Sequence, residues 1–221
     1  MAFKNPIFIR NQILELLKRI INNDVPKFDS EKNEHILQAY SEKILFRLAA
    51  SDEINPDTLS QAIGIKKDHI NTLLVALEKA ELLNVLFPYG GVDTRLVKNK
   101  KAFFMSPSIR RALLSVIYGN TLPDEYRSKM MEDLIVMYLK RILADPVISF
   151  TSEKGQVNPD FVIETHDKPI LIEAGLSKTK VGQIKKCKID YRYGFVISSK
   201  ITEISIKGDT IFLPFNWFLM L

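Results

Sequence analysis

The chain has 221 residues, room for one large domain or two small ones. It is 46% hydrophobic and 26% charged, and its 9 glycines and 10 prolines exclude collagen-like and Pro/Gly-rich disordered classes. One cysteine, Cys187, excludes a disulfide framework and a Cys-rich zinc site, the three histidines are scattered, and a net charge of +5 permits an anionic partner without requiring one.

The N-terminus, Met-Ala-Phe-Lys-Asn-Pro, has no long apolar run. No segment approaches the roughly 18–20 apolar residues that span a bilayer. A cytoplasmic protein without a membrane partner is therefore expected. Ile13, Leu16, Leu17, Ile20 and Ile21 recur at helical spacing over 11–22. Ser30 is a candidate cap for a second helix reaching about Ala50. Asn55-Pro56-Asp57-Thr58-Leu59 starts a short helix, with Pro56 suited to its first position. Gly64-Ile65 turns the chain into a third helix, from about Lys67 to Ala80. Leu82 to Phe87 and Lys101 to Met105 read as two strands of a hairpin, with Tyr89-Gly90-Gly91 as a loop signal between them.

That order is the order of a winged helix-turn-helix, with the third helix in the recognition position. Lys67, Asn71 and Thr72 on that helix are candidate nucleic-acid contacts. So are Arg95, Lys98, Lys100 and Lys101 in the candidate wing. The outward set also includes an acid, Glu78, so a protein-contact or linker role stays open.

Tyr118-Gly119-Asn120-Thr121-Leu122-Pro123 is polar and carries breakers, which sets a boundary between a domain at 1–120 and another at 121–221. A long helix is expected from about Asp124 to Leu143. Short apolar runs follow at Val147–Phe150, Phe161–Glu164, Ile170–Ala174, Phe195–Ser198 and Ile211–Leu213. The lysine-rich stretch 178–188 reads as a helix between two of them. The fold class is α+β: a helical winged-helix domain, then an α/β domain with a mixed central sheet.

A hairpin centred between His166 and Asp167 sets Phe161 against Ile172, Val162 against Leu171 and Ile163 against Ile170. Apolar residues then meet on both sheet faces. In this register Asp160 lies opposite Glu173, with Cβ atoms about 4.5–5.5 Å apart. Two such carboxylates repel unless a cation lies between them or one is protonated. A hard cation such as Mg²⁺ suits oxygen ligands, and Glu132 on the preceding helix is a candidate third donor. The alternative is a pair of solvated strand ends.

Pro159-Asp160 followed by a hydrophobic strand ending in Glu173 resembles the PD-(D/E)XK nuclease superfamily. The chain at large resembles the C-terminal region of prokaryotic AAA-type ATPases with a winged helix and a restriction-endonuclease-like domain. The resemblance runs through Leu59-Ser60-Gln61-Ala62-Ile63-Gly64-Ile65, Leu77-Glu78-Lys79-Ala80-Glu81-Leu82-Leu83, Lys101-Ala102-Phe103-Phe104-Met105, Met131-Glu132-Asp133-Leu134 and the terminal Phe218-Leu219-Met220-Leu221. It implies an α/β nuclease-like domain, Mg²⁺ held by Asp160 and Glu173, and catalytic roles for Glu132, Asp160, Glu173 and a lysine.

Two departures stand out. No Gly-x-x-x-x-Gly-Lys-Ser/Thr occurs, so ATP is expected only in an N-terminal ATPase domain outside this sequence. The nuclease lysine belongs two residues after the glutamate, where this chain has Gly175; Lys178 follows three residues later, and Gln183 is a polar neighbour of the type found near such sites. Lys180, Lys185 and Lys186 are candidate phosphate contacts beside the acidic pair. The expected role is to engage DNA or a partner, with weak or lost cleavage. An active Mg²⁺-dependent DNA nuclease and a catalytically dead protein-binding module are the alternatives.

Overall fold

The computed structural model describes residues 5–28, 33–144, 146–151, 158–180 and 182–221. They form two compact units, Met1–Val85 with Lys101–Asp133, and Leu86–Lys100 with Leu134–Leu221.

The first unit is mainly helical. Helix α1 (Pro6–Asn23) starts where Asn5 Oδ1 accepts the Ile7 N–H at 2.9 Å, with Pro6 in the first turn. Helix α2 (Glu34–Ala50) follows, and the candidate cap Ser30 lies outside the described residues. Strand β1 (Glu53–Ile54) precedes α3 (Pro56–Ile63), which Asn55 caps through its side chain at 3.0 Å from the Thr58 N–H. Gly64 ends α3 in the left-handed region, at φ +80°, and α4 (Lys67–Lys79) begins three residues later. Strands β2 (Leu83–Pro88) and β3 (Lys100–Phe104) complete a β1-β3-β2 order. The core gathers Leu37, Ile44, Leu48, Ile70, Leu73 and Leu77, each fully buried.

Helices α5 and α6 are among the elements that depart from the sequence expectation. Residues 92–97 form helix α5 (Val92–Val97), not a wing strand or open loop. Its Val92, Leu96 and Val97 are all exposed, so no apolar stripe announces it. Helix α6 (Pro107–Tyr118) has no counterpart among the expected elements; Ser106 caps it and Pro107 opens it. Helix α7 (Asp124–Ile142) matches its expected span.

The second unit is built on a mixed sheet. Its strands are β4 (Val147–Phe150), β5 (Phe161–Glu164), β6 (Ile170–Gly175), β7 (Tyr193–Ser198), β8 (Ser205–Lys207) and β9 (Thr210–Pro214). The order is β2-β4-β5-β6-β7-β9-β8, with Phe87 and Pro88 of β2 parallel to β4. The β4–β5, β5–β6 and β8–β9 pairs are antiparallel; β6–β7 and β7–β9 are parallel. The β5–β6 hairpin has the expected register, Phe161 to Ile172, Val162 to Leu171 and Ile163 to Ile170. Apolar residues pair on both faces of this hairpin, and Phe161, Val162, Leu171 and Ile172 are all buried.

The lysine-rich stretch is helical only over α8 (Gly182–Lys186); residues 178–180 are irregular. Ile184 seats α8 on Val162, Leu171, Val196 and Phe212. The approach is close: a Cβ on Gly194 would stand 2.6 Å from Ile184 Cγ2. Helix α9 (Phe215–Phe218) buries Phe218 and leaves Trp217 exposed. Among the described residues no helix is long and apolar enough to cross a membrane.

Candidate functional site

The hairpin brings the acidic pair together. Asp160 stands just before β5, and Glu173 stands on β6, one position beyond the Phe161–Ile172 pair. Asp160 Oδ2 accepts the backbone N–H of Ala174 at 2.7 Å, which ties the start of β5 to the end of β6. Glu173 is inside the sheet, hydrogen-bonded to β7 on its other side, and is only 5% exposed.

Lys178 closes the cluster. Its Nζ donates to Asp160 Oδ2 at 2.8 Å and to Gln183 Oε1 at 2.7 Å, and stands 3.5 Å from Glu173 Oε1. An ammonium has three donors, and three oxygens surround this one. Gln183 reaches it because α8 is fixed by Ile184. Gly175 clears the path: a Cβ there would lie 2.9 Å from Lys178 Cγ and 3.1 Å from its Cδ. Lys178 thus crosses the very space that a side chain at position 175 would fill.

The electrostatics are uneven. Burial pushes the Glu173 carboxyl above its usual range, and the charge of Asp160 adds to that; the Lys178 ammonium and the Gln183 backbone N–H oppose it. Glu173 Oε2 is buried and has no hydrogen-bond partner among the described residues. A buried carboxylate oxygen without a donor is costly. Two carboxylates presenting hard oxygens, one of them unsatisfied, fit a cation such as Mg²⁺. Among the described residues no three His, Cys, Asp or Glu side chains gather in one metal-binding group.

The other expected site residues divide. Glu132 is half-buried on α7 in the first unit, where its charge acts on Arg110. Lys180, Lys185 and Lys186 are exposed on the segment that carries Lys178 and Gln183. Lys67 is exposed and pairs with Asp57 at 2.9 Å; Asn71 is exposed and Thr72 half-buried. Arg95 is anchored within its own unit, donating to Glu164 Oε1 at 2.7 Å and to the Gly90 carbonyl at 3.0 Å. Lys98 is exposed, and Lys100 lies over the Phe87 ring, 4.5 Å from its centre.

One charged cluster has no counterpart among the sites expected from sequence. Arg110 is fully buried and grips Asp133 through Nε at 2.6 Å and Nη2 at 2.9 Å. Its Nη1 donates to the carbonyls of Leu48 and Ala49 and to Asp52. Lys129 completes the set on Asp52 at 2.8 Å. Every partner is internal, so this cluster is a structural tie and not an open site.

A family model described as a domain of unknown function (DUF8612) matches residues 4–118, just over half of the chain. The match ends before Asp160, Glu173 and Lys178. The uncharacterized protein MJ1637 of Methanocaldococcus jannaschii is 28% identical over 218 residues, covering 96% of this chain and 45% of that protein. The chain therefore spans under half the length of this relative. The crystal structure of protein VC1899 from Vibrio cholerae aligns over 98% of this chain and 55% of that one, at 12% identity and a TM-score of 0.26.

Proposed function

The chain belongs to the DUF8612 family, and we propose that its second unit carries a divalent-metal-dependent phosphodiester-cleaving site that acts on nucleic acid. The observation that carries this reading is the position of Lys178. The sequence places Gly175 where the nuclease lysine is expected, which argues for weak or lost cleavage. An ammonium 2.8 Å from Asp160 and 3.5 Å from Glu173 supports retained cleavage instead.

The residues divide the work by charge. Asp160 and Glu173 would hold a divalent cation, which when bound polarises the phosphoryl group and supplies a nucleophile at neutral pH. Asp160 is oriented for this by the Ala174 N–H. Lys178 stands ready to offset charge that builds on the phosphate, and Gln183 keeps it in place. Lys180, Lys185 and Lys186 would contact the phosphate backbone, which fixes position without reading sequence. Support for the helix-turn-helix contacts is thinner, because Lys67 and Arg95 already have carboxylate partners. For a longer protein, the sequence resemblance supports an accompanying AAA-type motor that would deliver the nucleic acid.

The test is a plasmid-nicking time course with Mg²⁺ or Mn²⁺. The wild type should cleave, Asp160→Ala should abolish cleavage, and Lys178→Ala should slow it by about 10²–10³. Absence of cleavage with either metal, or cleavage that Asp160→Ala leaves intact, overturns the reading. Salt-dependent DNA binding without cleavage would leave a nucleic-acid-binding module, and neither activity a protein-contact module.

A further inference from the structure

We propose that Gly175 is a positioning residue: the space beside the acidic pair admits one side chain, and the chain leaves it empty at position 175 so that Lys178 can enter from the other direction. The significance for cleavage rests on the proposed function above; the placement itself does not.

The geometry is specific. A Cβ built on Gly175 would meet Lys178 Cγ at 2.9 Å, Cδ at 3.1 Å and Cε at 3.2 Å. Three successive carbons of one side chain therefore run past the place a Cβ of residue 175 would take. No real Cβ sits at 2.9 Å from such a neighbour, so any residue larger than glycine must displace the lysine stem. The displacement is not free. The stem ends on an ammonium held by Asp160 Oδ2, Gln183 Oε1 and, more distantly, Glu173 Oε1. A shift of a few tenths of an ångström at Cγ propagates along three more bonds to Nζ. It would degrade contacts of 2.7 and 2.8 Å that have little slack.

Backbone strain is not the reason for the glycine. Gly175 is outside the left-handed region, unlike Gly64, Gly90, Gly119 and Gly208. It is the last residue of β6 and pairs with Ser198. Alanine can adopt its conformation, so what position 175 excludes is volume. The direction of that missing Cβ adds a second consequence. It lies abreast of the Lys178 stem, nearly equidistant from Cγ, Cδ and Cε, so a long side chain at 175 starts into the same space. Positions 175 and 178 are then alternative sources of one ammonium, and a side chain at 175 evicts that of Lys178.

The placement is tested without cleavage, on the full chain labelled with [¹⁵N]lysine. An ammonium held by three oxygens exchanges its protons slowly, so Lys178 should give a resolved side-chain NH₃⁺ signal, assigned by its loss in Lys178→Gln. Gly175→Ala should remove or strongly shift that signal while backbone amide spectra stay folded. Gly182→Ala is the control: it lies on the same segment, and a Cβ there meets nothing within 4 Å. Absence of a Lys178 signal in the wild type, or a signal unchanged by Gly175→Ala, overturns the inference. In the nicking assay Gly175→Ala should fall to the rate of Lys178→Gln, a loss of about 10²–10³. The exchange Gly175→Lys with Lys178→Ala should recover at least tenfold of it. A wild type that does not cleave sinks the proposed function alone, because the NH₃⁺ signal still decides the placement.

Discussion

Replacing Arg110 by methionine removes the guanidinium and keeps much of the side-chain volume, so the loss reports on the ion cluster and not on a cavity. Arg110 is fully buried, and so is the side chain of Asp133. In the variant, Asp133 would keep the Phe104 N–H at 2.8 Å and lose both guanidinium contacts, at 2.6 and 2.9 Å. Leu48 and Ala49 would also lose a donor. Both lie in the last turn of α2, where carbonyls have no helical partner and a cation is favoured. Asp52 is less affected, because Lys129 remains on it at 2.8 Å. Stranding one buried charge typically costs about 3–5 kcal/mol. Against a typical domain stability of roughly 5–15 kcal/mol, that is a large share. Urea unfolding followed by far-ultraviolet circular dichroism measures it, with the slope checked for constancy between variants. Arg110→Met with Asp133→Asn should recover most of the loss, because no unpaired charge is left and the amide oxygen still accepts the Phe104 N–H. A single-variant loss below about 1 kcal/mol would refute the argument, given what stranded buried charges cost elsewhere. So would a double variant as costly as the two single changes added together.

Asp160→Asn should weaken Mn²⁺ binding at least tenfold by calorimetry and leave the thermal midpoint nearly unchanged; equal affinity would argue against a cation at the pair. The Tyr126 hydroxyl is held up to about 12, first by its hydrogen bond with Tyr118, at 3.0 Å, and then by burial. A raised phenol pKa means that the fold favours the protonated form. The pair's contribution to stability is therefore complete below about pH 10, the ordinary tyrosine value, and is lost as pH rises through about 12. Ultraviolet titration should find this late step in the wild type and miss it in Tyr126→Phe, whose alkaline stability limb should be flatter. Gly64→Ala places a side chain at φ +80° and should cost about 1 kcal/mol in urea unfolding, whereas a neutral effect would mean that the turn relaxes.

The parts of this protein legible in the sequence are those set by neighbours along the chain. Leu73 and Leu77 recur at the helical period, Asn55-Pro56 carries the cap of α3, and Gly64 supplies the one conformation its turn needs. The β5–β6 register was legible because the pairing centred between His166 and Asp167 sets apolar residues against apolar residues on both faces. With the register came the meeting of Asp160 and Glu173. Helix α6 carries its own local signal too, the cap-and-proline pair Ser106-Pro107. Helix α5 does not: its apolar side chains remain exposed, and what anchors it is Arg95 on Glu164, a residue 69 positions away. The Arg110–Asp133 tie spans 23 positions and leaves no periodic trace. Lys178 is the sharpest case. It follows the end of a strand in irregular chain, where no period reports the direction of a side chain. Its place depends on the seating of Ile184, on Gln183 and on the emptiness at Gly175. Local spacing determines which face a residue shares within an element; which distant group its charged end reaches is decided only when the elements pack.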